Sequence, residues 1–227
     1  IIEEELLLEE ASRLVTGRMD RYRDPYAFII VCDGRYRGLG WTMDLLEKIT
    51  NLRVHSARYA NPLTLLPGNV PIQERMEELL LSRRSFVVAY CDLDNFKPFN
   101  DVYGYKKGDQ VIQRIGQILV DHADPERDFI GHIGGDDFIA IFESPDWQDR
   151  CERILAGFGR EAAQFYDTED QARGGILARD RQGQEQFFPV LSLSIGVVRP
   201  DLTLCHSHHE VAALATDAKV PSQVTKR

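Results

Sequence analysis

No stretch of the 227-residue chain approaches the roughly eighteen consecutive apolar residues that a membrane-spanning helix needs, and no signal peptide opens it. The expectation is a cytoplasmic protein with no membrane segment in this stretch. Cysteine is scarce: Cys32, Cys91, Cys151 and Cys205 are widely scattered with no CxxC pair. That argues against a disulfide framework and for reduced, structural thiols. An excess of positive charge is also lacking, since the formal net charge is −9. A nonspecific grip on nucleic acid or an anionic membrane is not expected. Neither internal repeats nor low-complexity segments occur. What remains is ordinary globular composition, 43% hydrophobic and 28% charged, long enough for one large domain with a smaller appendage. The opening IIEEELLLEE, without Met, reads as the cut end of a longer protein.

Residues 1–16 place Leu6, Leu7, Ala11, Leu14 and Val15 at helical spacing with acids between them, an amphipathic helix packed on its neighbours or coupling to an upstream module. Two short apolar strands, Phe28–Cys32 and Tyr36–Trp41, flank Asp33-Gly34, a hairpin-turn signal. Thr42 or Asp44 can cap the helix that follows. Asn61-Pro62 and Pro67-Gly68-Asn69 punctuate the chain, which puts the boundary near Tyr59 and predicts units 1–58 and 59–227. The second unit reads as helix 72–82 and the near-continuous apolar strand SFVVAYCDLD, buried on both faces. Helix 107–123 follows, then strands 128–133 and 137–143 around Gly134-Gly135, and helix 146–165. Strands 173–179 and 185–198 flank residues 180–183, and helix 209–219 closes the chain. With two hairpins among the strands, the expected class is α+β, a mixed or antiparallel sheet with helices packed on it.

The chemistry concentrates in two acid pairs. Asp92 and Asp94 end the buried strand, and Asp136 and Asp137 follow the two glycines of a hairpin turn. Glycines let a phosphate approach the main chain, and carboxylates from neighbouring strands can converge on a hard cation. Taken singly, each pair is as well explained by a plain turn.

The ordered set NPLTLLPGN, DLDNFKPFNDVYGYKKGD, GHIGGDDF and LSLSIGVV resembles the GGDEF family of diguanylate cyclases over residues 59–219. The resemblance implies a five-stranded mixed sheet wrapped by helices, like the palm of nucleotidyl cyclases and polymerases. It implies Mg2+ or Mn2+ as cofactor, and a homodimer that condenses two GTP into cyclic di-GMP. Asp92, the Leu93 carbonyl and Asp136 match metal ligands, and Asp136, Asp137 and Lys97 match catalytic positions. Asn100 and Asp109 match the guanine readers, while Gly134, Gly135 and Lys219 lie where the triphosphate is held. Phe96 falls in the same binding stretch, although packing is its simplest role. Asp94 and Asp101 belong to the motif too, with local capping as an equal reading. Residues 26–49 resemble the second half of a CBS motif, so 1–58 is expected to be a small αββα CBS-like fragment acting as a packing or relay element.

Several positions depart from the family pattern. Asp137 stands where the family's cyclases carry Glu, His132 where Arg is common, and Gln223 where a phosphate-binding Arg is usual. The inhibitory RxxD register reads Pro125-Glu126-Arg127-Asp128, so only its Asp is present, and no ordinary feedback inhibition is expected. A second reading follows: a degenerate GTP-binding module that controls an adjacent domain, such as a phosphodiesterase. Two features stand outside this resemblance. Cys205, His206, His208 and His209 are soft metal ligands without the spacing of a closed site, and an exposed loop is the simpler reading. The stretch 167–190 makes a longer hairpin than the family usually carries, read as solvated or as a contact surface.

Overall fold

Asp33 and Gly34 both take positive φ, 50° and 72°, the backbone of a two-residue turn whose twist suits a right-handed hairpin. The hairpin they close joins β2 (Ala27–Cys32) to β3 (Arg35–Trp41). In the computed structural model, which describes residues 1–17, 26–179, 184–205 and 207–218, the chain divides into two compact units, Ile1–Arg58 and Tyr59–Arg227. The first unit begins differently from the helix expected over residues 1–16. Ile2–Glu3 form a short strand, β1, parallel to β2, and helix α1 starts only at Leu8 and runs to Gly17. Ile2 is buried with Ala11, Val15, Leu45 and Ile49, so tertiary burial of one isoleucine overrides the helical pattern there. Helix α2 (Thr42–Tyr59) supplies the last two of those residues.

The second unit is built on a four-stranded sheet in the order β5-β6-β4-β9, comprising Phe129–Gly134, Asp137–Phe142, Val87–Asp94 and Ser192–Val198. Every pairing in it is antiparallel, so the five-stranded mixed sheet implied by the resemblance is not what the described residues form. The expected strand 185–198 is broken between β8 (Glu185–Pro189) and β9. Among the described residues the first half pairs with β7 (Gly175–Arg179), in a separate two-stranded sheet. Pro189 at the break has no N–H to donate to a continuing ladder.

Helices cover both faces of the sheet. Ala89, Cys91 and Leu93 of β4 pack with Val111, Ile115 and Leu119 of α5 (Tyr105–His122) and with Ile154 and Phe158 of α6 (Trp147–Glu161). Val88, Ile139 and Ile141 face the other way, onto Ile72, Met76 and Leu79 of α3 (Asn69–Leu81) and Val211 of α8 (His208–Ala218). Such two-sided burial is why β4 reads as an uninterrupted apolar run. Each fully buried large side chain contributes roughly 1.5–3 kcal/mol. Burial pushes the thiols of Cys91 and Cys151 upward, the latter to about 11, so both stay protonated and inert. All four cysteines are unpaired.

Before α3 the chain makes a tight loop. Asn61 Oδ1 accepts from the N–H of Leu63 at 2.9 Å and of Thr64 at 3.3 Å, and Ala60 bridges Pro67. The loop forces Leu65 to φ 60° while its side chain is 76% exposed. A left-handed conformation costs a side-chain-bearing residue roughly 1–2 kcal/mol, and an exposed leucine recovers little of that by packing. Leu65→Gly should therefore stabilise the protein by about 0.5–1 kcal/mol, read as a higher urea midpoint with an unchanged slope. An unchanged or lowered midpoint would show that the loop relaxes without strain.

Candidate functional site

Chain direction reverses sharply after β4. Asn95 takes φ 64° and hands the chain to α4 (Phe96–Tyr103), a two-turn helix that Gly104, at φ 80°, ends and α5 follows. Phe99 is fully buried, its ring 4.9 Å from that of Tyr103, and Phe96 is partly buried against the same core. The pattern at 96, 99 and 103 is the helical signal that the sequence carries for α4, and Pro98 fits because its missing N–H falls in the first turn. With that face buried, Lys97 and Asn100 are carried to a cleft of about 530 Å³. The cleft is also lined by Phe96, Asp101, Asp109, Gly135 and Asp136, a size within the roughly 300–1,000 Å³ usual for small-molecule sites.

Asn100 is the most informative of these side chains. Its Oδ1 is buried and has no hydrogen-bond partner among the described residues. A buried acceptor left unpaired costs free energy, so this carboxamide gains by turning its oxygen toward a ligand N–H in the cleft that Asn100 lines. The carboxamide lies over Gly108, where an added Cβ would come within 1.9 Å of Oδ1. Gly108 is thus the residue that makes room for Asn100, a role invisible in linear sequence. Asp109 follows directly and opens onto the same cleft.

The second set of residues sits at the tips of β4, β5 and β6. Gly134 and Gly135 have φ of 151° and 60°, conformations that a Cβ disfavours. The β4–β6 ladder ends with Cys91 opposite Phe138, so the same register carried one step further sets Asp92 across from Asp137. Both fall on the sheet face shared by Val88, Tyr90, Ile139 and Ile141, because side chains alternate along a strand. Asp136 instead lines the cleft on the α4 side. Asp92 and Asp137 thus stand at neighbouring strand ends, with Asp136 one residue away in the turn. Leu93 is buried in the core cluster, and its carbonyl is the part of it at issue for a cation.

Asp94 is engaged within the sheet. Its Oδ2 accepts from the hydroxyls of Ser192 and Ser194, both at 2.7 Å, which clamps β4 to β9. Lys97 and Asp101 are exposed at the cleft rim. Lys219, His206, Gln223 and residues 180–183 lie outside the described residues. His208 meets Glu77 at 2.8 Å and stacks near His209, yet no group of three or more His, Cys, Asp or Glu suited to a metal occurs among the described residues. For Mg2+ this is no obstacle. That ion is characteristically held by one or two carboxylates with substrate phosphates rather than by an all-protein cage, and the hard oxygens of Asp92, Asp136 and Asp137 fit it.

Two further side chains bear on the site. Tyr103 donates its hydroxyl to the Asp170 carboxylate and accepts from the Asp167 N–H at 3.1 Å, tying α4 to α7 (Thr168–Arg173). Burial, and then that bond to Asp170, pushes its phenol up to about 12, so it remains a donor. His132 is 1% exposed, stacked on Phe138 with ring centroids 4.2 Å apart. Burial pulls its imidazole below the ordinary value of 6.5, against the weaker raising effects of the Gly135 carbonyl and Asp137. A histidine whose folded pKa is depressed contributes stability that is present above the unfolded value and lost as pH falls. Urea denaturation should therefore show stability declining as pH drops below about 6.5, and His132→Gln should flatten that decline.

Asp128, the surviving acid of the inhibitory register, is enclosed. Its side chain is 0% exposed and accepts from the N–H groups of Asp124, Glu143 and Ser144 at 2.9, 3.1 and 3.1 Å and from the Ser144 hydroxyl at 2.6 Å.

Residues 59–186 match the family model described as diguanylate cyclase, GGDEF domain. The diguanylate cyclase DgcP of Escherichia coli is 28% identical over 180 residues, 75% of this chain and 48% of that protein. The bifunctional diguanylate cyclase/cyclic di-GMP phosphodiesterase MucR of Pseudomonas aeruginosa is 31% identical over 91 residues, 38% of this chain and 13% of that protein. The chain thus spans about half or less of the length of these relatives. Among solved structures, the diguanylate cyclase SiaD of Pseudomonas aeruginosa, in complex with its activator SiaC, superposes with a TM-score of 0.54 at 24% identity, covering 78% of this chain and 64% of that one. The coiled coil and GGDEF domain of DgcB from Caulobacter crescentus, in complex with c-di-GMP, also gives 0.54, at 22% identity over 78% of this chain and 88% of that one. With its family match covering more than half of its residues, the chain belongs to the GGDEF domain family of diguanylate cyclases.

Proposed function

We propose that the unit from Tyr59 onward binds GTP with Mg2+ or Mn2+ and, as a homodimer with one nucleotide per subunit, condenses two GTP into cyclic di-GMP with release of pyrophosphate. The observation that carries this is the cleft itself. It gathers Lys97, Asn100, Asp109, Gly135 and Asp136, and within it the Asn100 acceptor is buried and unsatisfied among the described residues. Asn100 Oδ1 and the Asp109 carboxylate are acceptors for the N1–H and 2-amino group of guanine, while the Asn100 amide donates to the remaining edge. Main-chain N–H groups of the Gly134-Gly135 turn face the phosphates, and the compact ammonium of Lys97 offsets their charge.

Asp92, Asp136 and the Leu93 carbonyl are the residues to hold the cation, with Asp137 completing the acid set. When bound, the cation would neutralise phosphate charge and acidify the attacking 3′-hydroxyl. The protein's own part is positioning: each subunit presents its α-phosphate to the other's ribose, and the 3′-oxygen displaces pyrophosphate in line. Because the Asp128 carboxylate is enclosed, added cyclic di-GMP is expected to leave turnover unchanged through the RxxD register. Residues 1–58 serve as a packing or signal-relay element, CBS-like in their strand–turn–strand–helix order.

A second reading has its own observation. Asp137 is one methylene shorter than the family's Glu, which suits a module that binds GTP and signals to a phosphodiesterase or other regulatory domain without turning it over. The test is GTP and Mg2+ incubated at protein concentrations that force dimers, with products resolved by chromatography and affinity measured in parallel. Cyclic di-GMP that vanishes in Asp136→Ala supports the cyclase. Tight binding without product supports the sensing module, and absence of binding sinks both.

A further inference from the structure

The turn that must face the phosphates has little of its own to hold it. Gly134 is tied to Asp137 at the end of the β5–β6 ladder, but Gly135 lies outside both strands, an added Cβ there would meet nothing within 4 Å, and glycine itself is the most permissive backbone. One buried side chain reaches it. His132 Nε2 lies 3.1 Å from the Gly135 carbonyl, and Nδ1 lies 2.9 Å from Thr64 Oγ1.

The protonation of this ring is dictated by its neighbours. A carbonyl oxygen can only accept, so Nε2 carries the hydrogen. Thr64 Oγ1 accepts weakly from the Leu66 N–H, at 3.4 Å, and has its own hydrogen to give Nδ1, while burial disfavours a second proton on the ring. The ring is thus a neutral bridge with a fixed tautomer. Thr64 in turn is held by Asn61 Oδ1 and packs its methyl over Gly116, and the His132 N–H donates to the Pro67 carbonyl at 2.8 Å. The loop 61–67 and the turn 134–135 are therefore joined through one imidazole, itself stacked on Phe138.

We propose that His132 is a positioning residue for the nucleotide site: as a neutral donor braced by Thr64, it fixes the Gly135–Asp136 peptide and so presents the turn's main-chain donors in a preset direction. The proposal rests on the reading of the cleft as a GTP site. The physical link is peptide planarity. In a trans peptide, C=O and N–H point in opposite directions, so a Gly135 carbonyl held toward the ring turns the Asp136 N–H to the opposite side. A turn that otherwise samples many conformations binds more weakly, in proportion to the fraction of time it is competent. An Arg, common at this position in the family, brings a charge to the phosphates; the imidazole here brings geometry instead.

Three variants separate this role from mere packing. His132→Leu fills the space without hydrogen bonds, His132→Gln keeps a donor for Gly135, and Thr64→Val removes only the brace. GTP affinity in the presence of Mg2+ should fall about five- to tenfold in His132→Leu, as expected for losing one constraining hydrogen bond, and recover in His132→Gln. Thr64→Val should lie between, and the double variant Thr64→Val/His132→Leu should be no worse than His132→Leu alone.

The turn is also read without nucleotide. Ring 15N shifts in the parent should report the Nε2–H tautomer, and the Asp136 amide 15N shift, which responds to a hydrogen bond on the preceding carbonyl, should move in His132→Leu. Unchanged affinity and an unmoved Asp136 shift in a folded His132→Leu, or an Nδ1–H or charged ring in the parent, would overturn the proposal. A parent that binds no GTP defeats the functional reading alone, because the nucleotide-free shifts still decide the role of His132.

Discussion

Asp128→Ala should lower the stability of the second unit by about 3–5 kcal/mol, the largest loss expected for any single substitution considered. The carboxylate is fully enclosed and accepts four hydrogen bonds, three of them from main-chain N–H groups. Alanine would leave the donors of Glu143 and Ser144 unpaired where β6 ends, and that of Asp124 where α5 gives way to β5. Each unpaired buried donor costs roughly 1–3 kcal/mol. It would also remove one of the acids around Arg150, whose Nε is 3.6 Å from Asp128 and 2.9 Å from Asp146. Asp146 and the His122 carbonyl remain as partners, so the guanidinium is not stranded. Asp128→Asn should cost less, because an amide oxygen can still serve Glu143 and Ser144 while its NH2 opposes the Asp124 N–H. Urea denaturation of parent and both variants checks the order Ala below Asn below parent. Equal midpoints would mean that the loop 123–128 rearranges to rescue its donors.

The same residue shows what sequence can and cannot disclose. Register alone assigned Asp128 to an inhibitory motif, because a carboxylate's neighbours do not appear in a linear pattern. The reverse holds for β4, whose apolar run from Val87 to Cys91 announced burial on both sheet faces, as found. Helix α5 was legible from Val111, Ile112, Ile115 and Leu119, starting two residues earlier than expected. Helix α4 was not, since two turns interrupted by Pro98 give periodicity little length to act on. α7, at six residues, is shorter still. The break at Pro189 was signalled by a proline inside an apparent strand, and the strong flanking β pattern concealed it. Within the site, Lys97, Asn100, Asp109, Gly135 and Asp136 line one cleft, a convergence that linear order does not display. The Asn100–Gly108 contact and the facing of Asp92 with Asp137 depend on packing and register, which only coordinates supply.

That facing gives the second large effect: Asp137→Glu should raise cyclic di-GMP formation by up to about 100-fold if the protein is a cyclase. Asp137 opens β6 one step beyond the last β4–β6 pair, so its Cα position is fixed by the Cys91–Phe138 pairing behind it. A side chain anchored this way cannot move its backbone toward Asp92 to compensate for a missing methylene. The carboxylate is then withdrawn by roughly 1 Å, and errors of that size in a catalytic constellation can cost two orders of magnitude. Glutamate restores the reach without altering the charge, and the half-buried setting of Asp137 leaves room for it at the strand end. Because the gain would come from closer approach to the cation and the reacting phosphate, it should appear mainly in kcat, with GTP affinity changed by no more than a few-fold. A higher rate with unchanged affinity would identify Asp137 as the brake on an otherwise complete site. Tight GTP binding in both forms, with product in neither, would instead assign the chain to nucleotide sensing, its shortened carboxylate being one lesion among several.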